Sequence, residues 1–217
     1  MISEELYKRI LSASILLPLL IVCIFLNQYI FLLFLILIGI ISLSEWYSMH
    51  KGKSFLIFIL GFIFLLLSIV SAFKLRGYNY ESMIFFTWIL FICFFSDIGG
   101  YVFGKIIGGK KLLKISPNKT IAGTIGSLIF SFLPILIINY QVFYKINLEL
   151  NLITFILSLI VSIFCQLGDI LISYFKRLRK IKDTGNLLPG HGGMLDRIDG
   201  IIFVLPFVYL LKFVELI

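Results

Sequence analysis

Apolar residues run through this chain in stretches too long for strands and too uniformly apolar for helices with one wet face. Seven such runs are centred on Ile10–Leu26, Tyr29–Tyr47, Phe55–Phe73, Met83–Phe103, Thr120–Ile138, Leu152–Ile172 and Ile201–Ile217. Runs of roughly 17–25 apolar residues, wound as helices, cross a hydrocarbon core of ~30 Å. The pattern therefore predicts an all-α fold, a polytopic transmembrane helical bundle of about seven spans.

Polar residues inside the runs stand out by their spacing. Gln166, Asp169, Ser173, Lys176 and Lys180 follow one another at intervals of 3, 4, 3 and 4, which places them on one helical face leading out of the sixth run. An aspartate at membrane depth costs about 2.5–3.5 kcal/mol on insertion scales and marks function by default. The fourth run carries Asp97 near its end, followed by Gly100, Gly104 and Gly108, and the fifth opens a similar seam at Gly123, Ser127 and Ser131. Small residues four apart let a second helix approach closely, so Asp97 is expected to face protein.

Composition agrees with the pattern: 60% of the 217 residues are hydrophobic, 14% are charged, and the mean hydropathy is +1.10. That excludes an ordinary soluble domain. Of 19 Lys and Arg, all but Lys74, Arg76, Lys145 and Lys212 fall at the N-terminus or in the second, fourth and sixth loops. Because cytoplasmic loops carry the basic excess, the N-terminus is expected in the cytoplasm and the C-terminus outside. The first run follows Lys8 and Arg9 but lacks a small-x-small cleavage site, so it is taken as an anchor and not a signal peptide. Cys23, Cys93 and Cys165 lie singly inside apolar runs and predict neither a disulfide nor a metal site. The chain is expected to be a single membrane domain over residues 1–217. Residues 1–80 supply N-terminal spans and 81–217 a half that carries chemistry, with cytoplasmic loops at 104–119 and 173–199.

The first of these loops reads GGKKLLKISPNKTIAG, residues 108–123, with a Ser116-Pro117 turn and a helix start at Thr120. Backbone N–H groups there, with the hydroxyls and Lys119, suit a phosphate. Asn118-Lys119-Thr120 also fits a glycosylation sequon, which the cytoplasmic placement sets aside. The second loop, KRLRKIKDTGNLLPGHGGMLDRIDG, concentrates six basic residues, three aspartates and a histidine between apolar runs. Its Pro189–Gly193 stretch is too glycine-rich for helix and lets backbone approach an anion. Asp196 and Asp199 follow one turn apart with Arg197 between them. Magnesium prefers carboxylate oxygens and commonly takes one or two of them together with substrate phosphates. With a metal and a polyphosphate present, every charge in the loop has a partner. His191 has no second His or Cys nearby, which argues against zinc and for contact with phosphate.

Ser173, Lys176-Arg177, Lys182-Asp183, Gly185, Leu188-Pro189, His191-Gly192-Gly193, Asp196-Arg197 and Asp199 together resemble the long signature of the phosphatidate cytidylyltransferases, or CDP-diacylglycerol synthases. CQLGD at 165–169 is similar to that family's S-Q-x-G-D. SDIGGYVFGK at 96–105 and SPNKTIAG at 116–123 are similar to its S-D-x-x-A-Y-x-x-G-K and S-P-K-K-T-x-E-G. Asn118, Ala122 and Gly100 depart from these patterns at positions where Lys, Glu and Ala are usual. The resemblance covers about the C-terminal 60% of the chain, to which the first three spans add only hydrophobicity.

The resemblance implies transfer of CMP from CTP to phosphatidic acid with Mg²⁺, giving CDP-diacylglycerol and pyrophosphate. It puts Asp169 and Asp196 in the metal centre with Asp97 and Asp199 as further participants, and leaves a second metal ion open. Lys176, Arg177, Lys182 and Arg197 would hold the triphosphate and the lipid head group, with Asp183 and His191 in the same catalytic set. Ser116, Lys119 and Thr120 would close the site, and Ser173, Gly192 and Gly193 would contact substrate. Partners are then CTP, phosphatidic acid and the lipid bilayer, with no nucleic acid; a second copy of the chain stays open. The expected location is a bacterial inner membrane, with the site facing the cytoplasm. Two rivals remain: a CTP-dependent transferase acting on another membrane lipid, and a transporter of a phosphorylated lipid, whose usual paired repeats are not visible here.

Overall fold

The computed structural model describes residues 4–50, 55–113, 116–138, 152–187 and 192–214. The chain is mostly helical. Helices α1 (Glu4–Phe25), α2 (Gln28–His50), α3 (Phe55–Arg76) and α4 (Tyr80–Ile106) follow one another through short connections. A two-stranded sheet, β1 (Lys111–Leu113) and β2 (Ser116–Thr120), leads into α5 (Ile121–Phe130) and α6 (Leu133–Ile138). Then come α7 (Leu152–Leu178), the single turn α8 (Leu195–Ile198) and α9 (Ile201–Phe213).

The seven apolar runs map onto helices, but not onto seven helices of equal reach. Among the described residues α2, α3, α4 and α7 are long and apolar enough to cross a membrane, while Leu16–Phe25, Ile121–Leu136 and Ile201–Phe213 are shorter apolar segments. The fifth run is not one helix. The α5 ladder stops at Ser131, and Pro134, which has no N–H to give to a preceding carbonyl, sits in the first turn of α6. The loop expected at 104–119 holds the antiparallel pair instead, with Lys111 opposite Thr120 and Leu113 opposite Ser116. Gly108 and Gly109, at φ of +63° and +92°, turn the chain out of α4 into β1.

The outer surface is apolar along whole helix faces: Leu33, Leu37 and Ile40 on α2 and Ile63 and Val70 on α3 are all exposed. Water tolerates such a band poorly, whereas a hydrocarbon phase matches it. Inside, Trp88, Ile89 and Ile92 of α4, Val161 of α7 and Val204 and Val208 of α9 are fully buried in one core with Phe31 and Leu75. Arg76 is buried as well. At the end of α3 it donates to the carbonyls of Ile24, at 2.9 Å, and of Leu26, and its guanidinium lies over the Phe31 ring. A cation at the carbonyl end of α1 also suits that helix dipole.

The glycine seam predicted between the fourth and fifth runs is where α4 meets α5. A Cβ on Gly99 would meet the Gly126 carbonyl and stand 2.6 Å from Cβ of Phe130, and one on Gly123 would stand 2.8 Å from the Gly100 carbonyl. Neither neighbour is a flexible side-chain tip. Gly99→Val is therefore expected to destabilise the fold by about 2 kcal/mol and lower the melting temperature in detergent by about 5 °C. An unchanged melting curve would show that the two backbones do not approach as described.

Candidate active site

At one end of the bundle the C-terminal turns of α2, α4 and α7 meet β2 and the starts of α5 and α9. Between them lies a polar cavity of about 390 Å³. Its charged groups reach it from four parts of the chain. Asp97 comes from α4, Lys119 and Thr120 from β2, Asp169 and Ser173 from α7, and Asp196, Arg197 and Asp199 from the segment that opens α9.

The stripe read from α7 is real: Gln166, Asp169 and Ser173 all line the cavity. Lys119 crosses from the hairpin to pair with Asp169, and its ammonium also lies 3.4 Å from the Gln166 carbonyl. Thr120 caps α5 from extended backbone, its hydroxyl accepting from the Gly123 N–H at 3.0 Å, so the α5 N-terminus faces the same space. The hydroxyls of Ser96 and Ser162, 2.8 Å apart and fully buried, tie α4 to α7 just below. Where α7 passes the start of α9 the backbones nearly touch: a Cβ on Gly168 would lie 2.5 Å from the Asp199 carbonyl. That contact fixes Asp169 relative to Asp199.

Asp196 is held by a dense set of donors. Lys176 bonds its Oδ1 at 2.7 Å, and Oδ2 accepts from the Thr184 N–H at 2.8 Å and the Gly193 N–H at 3.0 Å. Burial alone would raise this carboxyl, but the Lys176 bond, the two N–H donors and the Lys176 charge outweigh it and hold Asp196 below the usual carboxylate range. Asp199 is the opposite case. Burial, the adjacent Asp169 carboxyl and Asp97 together push it well above that range. Gly192, at φ +85°, allows the tight turn, since a Cβ there would stand 3.0 Å from Oδ2 of Asp196.

The remaining predicted residues whose side chains are described fall outside the cavity wall. Lys176 stands behind it and acts on it through Asp196. Arg177 is exposed, with its guanidinium 3.4 Å from the Ile181 carbonyl, and Lys182 and Asp183 are exposed on the loop that follows α7. His191 lies outside the described residues, and Ser116 is placed only by its backbone in β2. Cys23, Cys93 and Cys165 are buried free thiols.

Sequence reasoning overlooked Glu45 and Thr184. Glu45 projects from α2, is 6% exposed, and accepts from the N–H groups of Met194 and Leu195, each at 2.8 Å. The Thr184 hydroxyl lies 2.8 Å from Glu45 Oε2 and 3.0 Å from Asp196 Oδ2, so one proton serves two carboxylates. Glu45 thus fastens the turn that carries Asp196 to the N-terminal half of the bundle. An acid inside the second apolar run was the available signal, the same one that marked Asp97 and Asp169. Tyr101 and Thr124 also line the cavity without having been singled out.

The donor set suits a hard cation shared with a phosphate ligand. Among the described residues no group of three or more His, Cys, Asp or Glu side chains is gathered closely enough to hold a metal by itself. Yet Asp97, Asp169 and Asp199 bring carboxylates to one cavity, with Lys119 bridged to Asp169. Such an oxygen-rich, incomplete set would leave positions for water and phosphate around a divalent cation such as Mg²⁺.

A model of the family described as the cytidylyltransferase family matches residues 50–214. Among curated proteins, the phosphatidate cytidylyltransferase of Rickettsia bellii is 37% identical over 96% of this chain and 91% of its own length. That of Rickettsia felis is 35% identical over 96% and 93%. A protein of the same name from Staphylococcus haemolyticus is 42% identical over 60% of this chain and 50% of its own. The likeness to the rickettsial proteins runs through the first spans as well, beyond the C-terminal 60% in which the motifs lie. With the family model covering most of the chain and the rickettsial relatives matching nearly all of it, the chain belongs to the cytidylyltransferase family.

Proposed function

We propose that this protein transfers CMP from CTP to phosphatidic acid, releasing pyrophosphate and forming CDP-diacylglycerol. The observation that carries the proposal is one cavity, at the end of long apolar helices, that combines four carboxylates with Lys119 and Arg197. A lipid phosphate can reach such a site while its chains stay in the bilayer, and a nucleotide can reach it from water. The full-length relatives named phosphatidate cytidylyltransferase support the same substrates.

In the proposed reaction an oxygen of the lipid phosphate forms a bond to the α-phosphorus of CTP while the bond from that phosphorus to the bridging oxygen breaks. Little proton transfer is needed, because a phosphate monoester is already largely anionic near neutral pH. The residues' work is then placement and charge neutralisation. Lys119, Arg197 and the α5 N-terminus behind Thr120 would take phosphate oxygens. Lys176 acts at one remove by fixing Asp196. Asp169, with Asp97, Asp199 or Asp196, would hold Mg²⁺, which when bound neutralises charge on the transferring phosphate. The basic excess in the loops at this end of the bundle supports a cytoplasmic site with the N-terminus on the same side, and the bacterial relatives support a bacterial cell membrane.

The test is pyrophosphate release by the purified protein given CTP, Mg²⁺ and phosphatidate in mixed micelles, with ATP and GTP as controls. Release is expected only when CTP and the lipid are both present, to stop on chelation and to return with Mg²⁺. Binding of CTP without turnover of phosphatidate would overturn the acceptor and point to another phosphorylated lipid.

A further inference from the structure

Beside the polar cavity runs a second cavity of about 230 Å³, walled almost entirely by carbon from α1, α2, α3, α4 and α9. Its α2 wall extends from Phe31 to Ser42, about 16 Å along the helix axis at 1.5 Å per residue. It is therefore a groove running with the helices, from the site end of the bundle toward the opposite membrane face. Arg197 lines both this groove and the polar cavity, so the two meet at its side chain. Two other apolar clefts, one around Phe164, Phe207 and Phe213 and one around Trp46 and Phe175, share no residue with the polar cavity.

The chemistry along this path is a cation where the groove meets the polar cavity and almost unbroken hydrocarbon beyond it, which is the order of phosphate and acyl chain in a diacyl phospholipid.

We propose that this groove, continuous with the polar site at Arg197, is the acyl-chain subsite for the acceptor lipid. The inference rests on the phosphatidate reading above and extends it: the N-terminal helices hold the lipid while the C-terminal half does the chemistry. A bulk bilayer lipid offers the same hydrocarbon, so the experiment separates the two sources.

Wild-type protein is reconstituted with phosphatidate carrying a photoactivatable diazirine in mid-chain, and adducts are mapped by mass spectrometry. Adducts are expected on α2 between Phe31 and Ser42 and on the facing residues of α4 and α9. They should exceed by about tenfold those from phosphatidylcholine with the same chain, a typical margin for pocket discrimination. Equal labelling by phosphatidylcholine, or adducts confined to the Phe164–Phe207 cleft, would overturn the subsite. In parallel, Leu35→Trp, about 10 Å along α2 from the site end of the groove at Ser42, should raise KM for long-chain phosphatidate about tenfold more than KM for dihexanoyl phosphatidate. Equal changes for both lipids would count against the groove. Failure of the wild type to use either lipid would instead count against the phosphatidate reading.

Discussion

Asp169→Asn is expected to lower CTP-dependent pyrophosphate release by about a hundred- to a thousandfold, the usual effect of removing one group from a preorganised charge-stabilising set. Stability should move little. Asp169 shares a cavity with Asp97 and Asp199, and it is one reason the Asp199 carboxyl is pushed up. Taking one negative charge from that group relieves repulsion but also removes the partner of the part-exposed Lys119, so the melting temperature without substrate should hold within about 2 °C. The same change at Asp196 should lower both quantities. It removes the acceptor of the Lys176, Thr184 and Gly193 bonds and leaves a largely buried ammonium without its counter-charge. Equal melting behaviour in the two variants would show that the two carboxylates are not divided between a strained role and an anchoring one.

Glu45→Ala is the second large effect. Three donors, two backbone N–H groups and the Thr184 hydroxyl, lose their acceptor in a buried place. Hydrogen bonds to a charged group contribute about 1.5–3 kcal/mol each, and Thr184 keeps Asp196 as an alternative. A total loss of about 3–5 kcal/mol follows, seen as a fall of roughly 10 °C in melting temperature. Activity should fall by about a hundredfold even well below the melting transition, because the turn that places Asp196 is no longer fastened. Glu45→Gln keeps the shape but turns one acceptor into a donor facing an N–H, so it should lie between wild type and alanine. Wild-type activity and melting in both variants would remove Glu45 from the site's support.

What could be read from sequence was set by which physical signals are local. Asp169, Gln166 and Ser173 were legible because a helix repeats at 3.6 residues and charge is rare in apolar runs; they line the cavity together. The α4–α5 glycine seam was legible for the same reason. The β1–β2 pair was not, because its short strands carry lysines, a proline and an asparagine instead of an alternating apolar pattern. The break at Ser131 could have been found from Pro134, but the apolar run masked it. Within the 173–199 loop, composition could not tell charges that line the cavity, such as Arg197, from exposed ones, such as Arg177 and Lys182. Glu45 was hidden differently: its partners lie 139 to 150 positions away, and no window along the chain holds both.

Arg76 carries a consequence for how the protein is made. The carbonyls it satisfies at the end of α1 belong to residues synthesised 50 and 52 positions earlier. A chain that has not yet made α3 has no guanidinium to close the corner between α1 and α2. Arrival of the third helix is therefore expected to lock the first pair together, and a chain stalled before residue 76 should be degraded faster than one stalled well after it.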